Sequence, residues 1–275
     1  MAGNDAQVAF WNGVSGARWV EHQAALDRAL ELLGNAALAE ARPQAGERVL
    51  DVGCGTGAMT LALADAVGPS GAVVGVDVSE PMLGLARHRA RGRANVSFSL
   101  ADASTQAFED GFDLLFSRFG VMFFADPEAA FRSLRRALRP SGRVAFVCWG
   151  PTRDNPWFSI PMAAAATVVP LPAPTPPDEP GPFSFSDPAR VERILKAAGF
   201  SDVAASPVSP PFFLGTDPDA AAAFSIEAGP VSRLLVDAAP ETRTAVLAAI
   251  RIALTSHAGP DGLALPTSAW VVRAR

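Results

Sequence analysis

Val49-Leu-Asp-Val-Gly-Cys-Gly-Thr-Gly57 runs directly into the apolar helical pattern Ala58–Ala66. A short β-branched strand, a glycine-rich turn and a helix follow one another here. Glycines let the main chain turn tightly and let a ligand approach without Cβ clashes, while the helix start offers free amides. A nucleotide-like ligand is implied. Gly53-Cys-Gly55-Thr-Gly57-Ala58 also satisfies the loose dinucleotide fingerprint, so the glycines alone admit both NAD and S-adenosylmethionine. Asp51, two residues before the first glycine, would repel a pyrophosphate and attract an ammonium or sulfonium. A second strand ends in Asp77, about 20 residues past Gly57, the place of a ribose-binding acid. A third ends in Leu100-Ala-Asp102. Three acids on one sheet edge suit a cationic, diol-bearing ligand without phosphate.

Outward from this turn, short β-branched runs alternate with helical patterns: Arg48–Val52 with Ala58–Ala66, Ala72–Asp77 with Pro81–Arg91, Val96–Ala101, Phe112–Ser117 with Pro127–Leu138, and Arg143–Trp149. This predicts an α/β fold with a parallel sheet and crossover helices. Gly68-Pro-Ser-Gly71 and Arg139-Pro-Ser-Gly142 supply turns. Upstream, Ala25, Leu26, Ala29, Leu30 and Leu33 recur at helical spacing, which predicts a helix over Trp11–Glu40 packed on the sheet. Downstream, Pro151–Pro182 reads as an ordered cover too broken for regular structure. Ser186–Phe200 reads as a helix with Asp187 as cap, Pro188 at its first position and Gly199 as terminator. Val203–Leu214 and Ala264–Ala274 read as strands separated by helical patterns, Asp217–Ala228 and Pro240–His257.

The 275 residues are 49% hydrophobic and 19% charged with a net charge of −5, which describes a globular protein with no field for polyanions. Nucleic acid is an unexpected partner. Lys196 is the one lysine among 23 cationic residues and is read as solvated. Cys54 and Cys148 cannot make a structural zinc site alone, and a reducing cytoplasm is expected. The start lacks a signal-peptide pattern, and the longest apolar stretch, Ile160–Leu171, is short and interrupted by proline, so no membrane span is expected.

The motifs VLDVGCGTG, VVGVDVSEPML, SLADAS, FDLLFSRFGVMFFADP and LRRALRPSGRVAFVCW, in this order and spacing, resemble those of class I S-adenosylmethionine-dependent methyltransferases, especially the group related to ubiquinone and menaquinone biosynthesis. FWNGVSGARWVEHQAALD and LPTSAWVVRAR extend the likeness over nearly the whole chain. The resemblance implies a Rossmann-like doubly wound sheet of seven strands, mostly parallel, with the last strand antiparallel between the fifth and sixth, plus a helical cover. It implies one domain with a helical cover (1–42), a cofactor-binding core (45–150), a substrate lid (151–186) and a C-terminal half of the sheet with a helical insertion (187–275). It places Asp51 and the loop of Gly53, Cys54, Gly55 and Gly57 at the methionine part and Asp77 at the ribose. Val78 and Met82 then flank the adenine, Asp102 with Ala103 reads its amine, Ser117 closes the site, and Trp11 and Trp19 cover it.

Ser117-Arg-Phe-Gly120 stands where methyltransferases of bases and amides often carry an Asn/Asp-Pro-Pro-aromatic motif, which argues against those acceptors. Phe116–Phe124 holds no carboxylates, and no metal is expected. Transfer from a sulfonium gains much from alignment and exclusion of water, so a base is optional. With no tyrosine in the chain, His22 is the histidine to place near the acceptor. Arg118, Phe119, Met122, Phe123, Trp149 and Trp157 follow strand ends and form the expected acceptor wall, Arg118 requiring an anionic or carbonyl partner. The expected activity is metal-independent methyl transfer to a small apolar or aromatic acceptor. A nicotinamide-dependent oxidoreductase and a non-catalytic S-adenosylmethionine-binding module are the alternatives.

Overall fold

All of Val49–Val52 is buried, as a strand must be when helices cover both faces of a parallel sheet. The computed structural model, which describes residues 4–173 and 176–275, sets this strand at the centre of the fold. Residues 1–3 of the expected N-terminal cover and 174–175 of the expected lid lie outside the described residues. The strands are β1 (Arg48–Val52), β2 (Ala72–Asp77), β3 (Val96–Leu100), β4 (Phe112–Arg118), β5 (Leu138–Trp149), β6 (Ala204–Val208), β7 (Pro211–Gly215), β8 (Ala258–Gly259), β9 (Gly262–Pro266) and β10 (Ala269–Ala274). The helices are α1 (Asp5–Asn12), α2 (Val14–Glu21), α3 (Gln23–Ala41), α4 (Ala58–Val67), α5 (Glu80–Arg89), α6 (Pro127–Ala137), α7 (Pro156–Ala165), α8 (Pro188–Ala197), α9 (Pro218–Glu227) and α10 (Pro240–Leu254).

Seven strands form one sheet in the order β3-β2-β1-β4-β5-β10-β6. The first five are parallel, and β10 runs antiparallel to both of its neighbours, the arrangement that the resemblance implies. From β1 the chain steps outward to β2 and β3, then returns to β4 on the other side. This reversal opens a crevice at the carboxyl ends of β1 and β4, where open α/β sheets hold ligands.

Four local expectations are corrected. The segment Trp11–Glu40 is not one helix. Gly13 adopts an extended conformation and His22 ends α2, so α1 and α2 fold away while α3 alone packs on β4, β5 and β10. Leu26, Ala29, Leu30 and Leu33 are buried there, but Ala25 is exposed. Pro151–Pro182 contains regular structure, because Pro156 sits at the first position of α7, where a missing amide costs nothing. Val203–Leu214 and Ala264–Ala274 are each two strands rather than one. Their second and first halves form a separate antiparallel sheet, β7-β9-β8. The corners fall at Ser209-Pro210-Pro211 and Pro266-Thr267-Ser268, where proline and short polar residues turn the chain, and the Thr267 hydroxyl donates to the Pro210 carbonyl (2.6 Å) to pin one corner to the other. The Arg139–Gly142 turn is instead an irregular start to β5, with the register against β4 shifting between Phe112 and Leu114.

Asn155 ties α7 to the sheet. Its side chain is fully buried, its amide lies 3.0–3.2 Å from the carbonyls of Gly150, Pro151 and Ser268, and its Oδ1 accepts from the Ser268 amide and the Trp157 indole, both at 3.0 Å. Two amide hydrogens serve three carbonyls, so the bonds are shared. Asn155→Ala leaves several buried groups unmet and is expected to cost on the order of 3 kcal/mol. Urea unfolding should show a lower midpoint at unchanged slope. A loss below about 1 kcal/mol would remove Asn155 from this role.

Candidate active site

The glycine loop leaves β1 with Gly53, Gly55 and Gly57 at φ of +69°, +54° and +84°. Gly53 serves packing: a Cβ there would lie 2.7 Å from Gly120 Cα, so the loops after β1 and β4 touch main chain to main chain. Gly55 faces open space, with Met82 Sδ at 3.8 Å as its one neighbour, which leaves a cradle for a ligand. The Gly53 and Cys54 amides both donate to the Val76 carbonyl (2.8 and 3.1 Å), and burial pushes the Cys54 thiol well up, so it stays protonated. Ser117 braces the crossing, its hydroxyl donating to the Val52 carbonyl (2.7 Å) and accepting from the Gly120 amide (3.1 Å).

The three expected acids differ in their partners. Asp77 accepts from the Gly55 amide on one oxygen (2.8 Å) and the Ser79 amide on the other (2.9 Å), so it clamps the glycine loop to the start of α5; burial nevertheless raises its pKa. Asp102 accepts from the Ser104 amide (2.9 Å) and hydroxyl (2.7 Å) in a local turn, with Ala103 buried beside it. Asp51 is 1% exposed, accepts from the Thr60 hydroxyl on Oδ2 (2.6 Å) and has no partner on Oδ1 among the described residues. Burial drives its pKa up to about 6; Thr60 and the Arg118 guanidinium pull the other way, and Asp77 adds to the rise. A buried carboxylate oxygen without a donor is costly, which marks it as a group awaiting one.

Arg118, at the end of β4, lies against Asp27 Oδ1 at 3.8 Å. The other oxygen of Asp27 accepts from Arg89 (2.8 Å) and from Gln23, and Arg89 also donates to the Thr56 carbonyl (2.8 Å). The basic run from Arg87 to Arg93 is thus only partly a solvated face. Arg87 pairs with Glu80 and Arg93 with Asp65, while Arg89 turns inward. Lys196 is exposed on α8 beside Glu192, as expected.

Trp19, Leu30, Asp51, Gly53, Cys54, Gly55, Thr56, Met59, Arg118 and Phe119 line a cavity of about 30 Å³. That is far below the several hundred cubic ångströms of a ligand pocket. The cover is closed over it. Trp11 meets Trp19, Phe10 and Phe123 edge to face (centroids 5.0–5.6 Å), and its carbonyl accepts from the Ser79 hydroxyl (2.7 Å). Asn12 donates to the Val78 carbonyl (2.7 Å) and accepts from the Glu80 amide (3.1 Å), and Arg18 reaches the Ser232 carbonyl (2.9 Å). Val78 is half-buried in this latch and Met82 is buried on α5 below it.

The expected acceptor wall is divided. Phe119 lines the cavity in the left-handed conformation (φ +64°) and stacks on Trp149 at 4.2 Å. Trp149 and Trp157 lie behind it in a buried aromatic column that continues to Phe212 (4.6 and 4.7 Å), so Trp157 is interior rather than part of a lid surface. Met122 is buried and holds the 181–184 segment through its carbonyl, which accepts from the Ser184 hydroxyl and the Gly181 amide; Phe123 lies under Trp11. His22 is half-buried at the α2–α3 junction, 3.9 Å from Glu21, and does not line the cavity. Thr60 and Arg89 are site residues outside the motifs, and Asn12, Asp27 and Gly120 stand within motifs without a role assigned by them. Asp27 alone carried a signal, a carboxylate flanking the apolar stripe of α3 at Leu26 and Leu30.

Residues 49–142 match the methyltransferase domain family. The match identifies residues 49–142 as a methyltransferase domain, set in a sheet of the order that the class I resemblance implies. Over 174 residues it is 35% identical to nocamycin O-methyltransferase of Saccharothrix syringae, covering 58% of this chain and 61% of that protein. Over 100 residues it is 41% identical to demethylmenaquinone methyltransferase of Staphylococcus aureus, covering 36% of this chain and 42% of that one. The chain therefore spans less than two thirds of the length of either relative. The YcgJ protein of Bacillus subtilis shares the fold, with a TM-score of 0.54 at 19% identity over 90% of this chain and 97% of that one. Among the described residues no helix is long and apolar enough to cross a membrane.

Burial of Asp51 costs stability at neutral pH. Its folded pKa of about 6 lies above the ordinary 3.8, so the folded state holds a proton that the unfolded state has released. Stability from this group is present below about pH 4 and is lost as pH rises to about 6, by roughly 3 kcal/mol. Asp51→Asn should flatten that slope and raise the midpoint of thermal unfolding at pH 7.5 by several degrees. Parallel stability curves for the two proteins across pH 4–7 would refute this account.

Proposed function

We propose that the protein transfers a methyl group from S-adenosylmethionine to a small acceptor of apolar or aromatic character, without a metal. The observation that carries this reading is the unpartnered Oδ1 of Asp51 on the wall of a glycine-rimmed cavity. A pyrophosphate would be repelled there and an ammonium would supply the missing donor. That favours the methyl donor over a nicotinamide dinucleotide. The remaining residues fit the same ligand. Gly55 presents no Cβ to it, and Asp77, fixed by two amides, retains lone pairs for a diol. Val78 and Met82 flank the base in this reading, Asp102 and Ala103 meet its amine, and Trp11 and Trp19 cover it. Ser117 acts by bracing the two loops.

When bound, S-adenosylmethionine supplies an electrophilic methyl group on a sulfonium. The chain's part is alignment and exclusion of water. Phe119, held in a strained backbone conformation against Trp149, forms the hard face beside the cavity, with Trp157 behind Trp149; Met122 and Phe123 serve it through the 181–184 segment and the Trp11 cover. Residues held in sparsely populated backbone regions cluster at working sites. Nothing in this scheme is routed through a metal, because Asp51, Asp77 and Asp102 are each engaged separately by Thr60, by loop amides and by Ser104. His22 has no part in it. The relatives' names, for nocamycin and demethylmenaquinone, both specify small molecules and support an acceptor of that size.

Calorimetry should show S-adenosylmethionine and S-adenosylhomocysteine binding at least tenfold more tightly than NAD, and Asp51→Asn should abolish that preference. NAD binding as tightly as the methyl donor would overturn the reading. A screen of small acceptors with isotopically labelled donor should then give turnover that persists in EDTA; turnover lost to EDTA and restored by magnesium would reject the metal-free scheme.

A further inference from the structure

We infer that Arg118 and Asp51 together read the zwitterionic amino-acid end of the donor, Arg118 taking its carboxylate, which assigns Arg118 to the donor rather than to the acceptor wall. This rests on the proposed function. Three observations carry it. Asp51 pairs in register with Phe116 on the neighbouring parallel strand, so Arg118, two residues further, projects from the same face of the sheet about 7 Å along. Both side chains line the one cavity. Each is also left short of partners: Asp51 Oδ1 has none, and the guanidinium of Arg118, its side chain 11% exposed, has among the described residues only Asp27 Oδ1 at 3.8 Å, beyond hydrogen-bond distance.

Asp27 cannot complete the neutralisation, since its other oxygen already serves Arg89 and Gln23. A guanidinium carries five N–H donors in a fork that matches a carboxylate in two parallel bonds. An acceptor-short cation beside a donor-short anion is the complement of a group bearing both charges on one carbon. The route of the Arg118 stem is built for this. A Cβ at Gly34 of α3 would lie 3.3 Å from Arg118 Cδ and 2.7 Å from Met59 Sδ, so glycine there lets the helix pass close over both side chains. Asp27 is then a positioning residue that holds Arg118 until the ligand carboxylate arrives.

The test compares S-adenosylhomocysteine with 5′-methylthioadenosine, which lacks the amino-acid end, by calorimetry on the full chain. The wild type should prefer S-adenosylhomocysteine by a hundredfold or more. Arg118→Met should weaken S-adenosylhomocysteine at least tenfold and leave 5′-methylthioadenosine within twofold, with Arg118→Lys intermediate. An unchanged S-adenosylhomocysteine affinity, or an equal loss for both ligands, overturns the inference, as does a variant whose only defect is a raised KM for the acceptor. The decarboxylated analogue of S-adenosylhomocysteine, which keeps the ammonium, tests the same point on the wild type should the variants not fold. It should bind at least tenfold more weakly than the parent, and equal binding refutes the role of Arg118. If neither nucleoside binds the wild type, the donor reading itself fails; if both bind and Arg118 is indifferent, only this inference does.

Discussion

Where Gly53 meets Gly120, two loops leaving adjacent strands press main chain against main chain, and Ser117 stitches the contact with one hydroxyl. The site hangs from this crossing. It sets the carboxyl ends of β1 and β4 close enough for Asp51 and Arg118 to share a cavity. It also forces the turn that puts Phe119 at φ +64°, a conformation costly for an aromatic residue and kept only because its neighbours leave no other. An extra methyl on either glycine would separate the loops, and the strain, the charge pair and the aromatic face would relax together.

The sequence carried the parts of the fold that follow from local chemistry. The glycine loop, the strand-end acids and the alternation of strands with helices all depend on residues a few positions apart, and the sheet has the order and the antiparallel insertion that the motifs imply. What it hid depends on distant partners. Arg89 looks like one cation among several on a helix face until Asp27, 62 residues away in the chain, draws it inward. Asn155 reads as a loop residue, although five groups from three segments converge on it. The breaks at Asn12-Gly13 and Ser209-Pro210-Pro211 do carry turn signals, which the apolar spacing on either side outweighs when the segments are read as single elements. Trp157 illustrates the same limit from the other side: its composition fits a ligand wall and an interior column equally well, and only Asn155, Trp149 and Phe212 decide between them.

The electrostatics of the cavity are arranged against the stability of the protein alone. A buried carboxylate with one free oxygen and a largely covered guanidinium with one distant counter-ion both give up part of their solvation without full return from the protein. Such groups are sound only in the presence of a ligand that meets them, and sites of this kind commonly trade stability for recognition.

The cover formed by α1 and α2 sets the order of events around the cavity. It is fastened at one side to the Val78–Glu80 loop through Asn12 and Trp11, and at the other to Ser232 through Arg18. A space of about 30 Å³ cannot admit a nucleoside while these bonds hold. On the proposed reading a nucleoside reaches the cavity only with these four bonds broken, so the strength of the fastening would enter the donor's binding constant along with the contacts made inside.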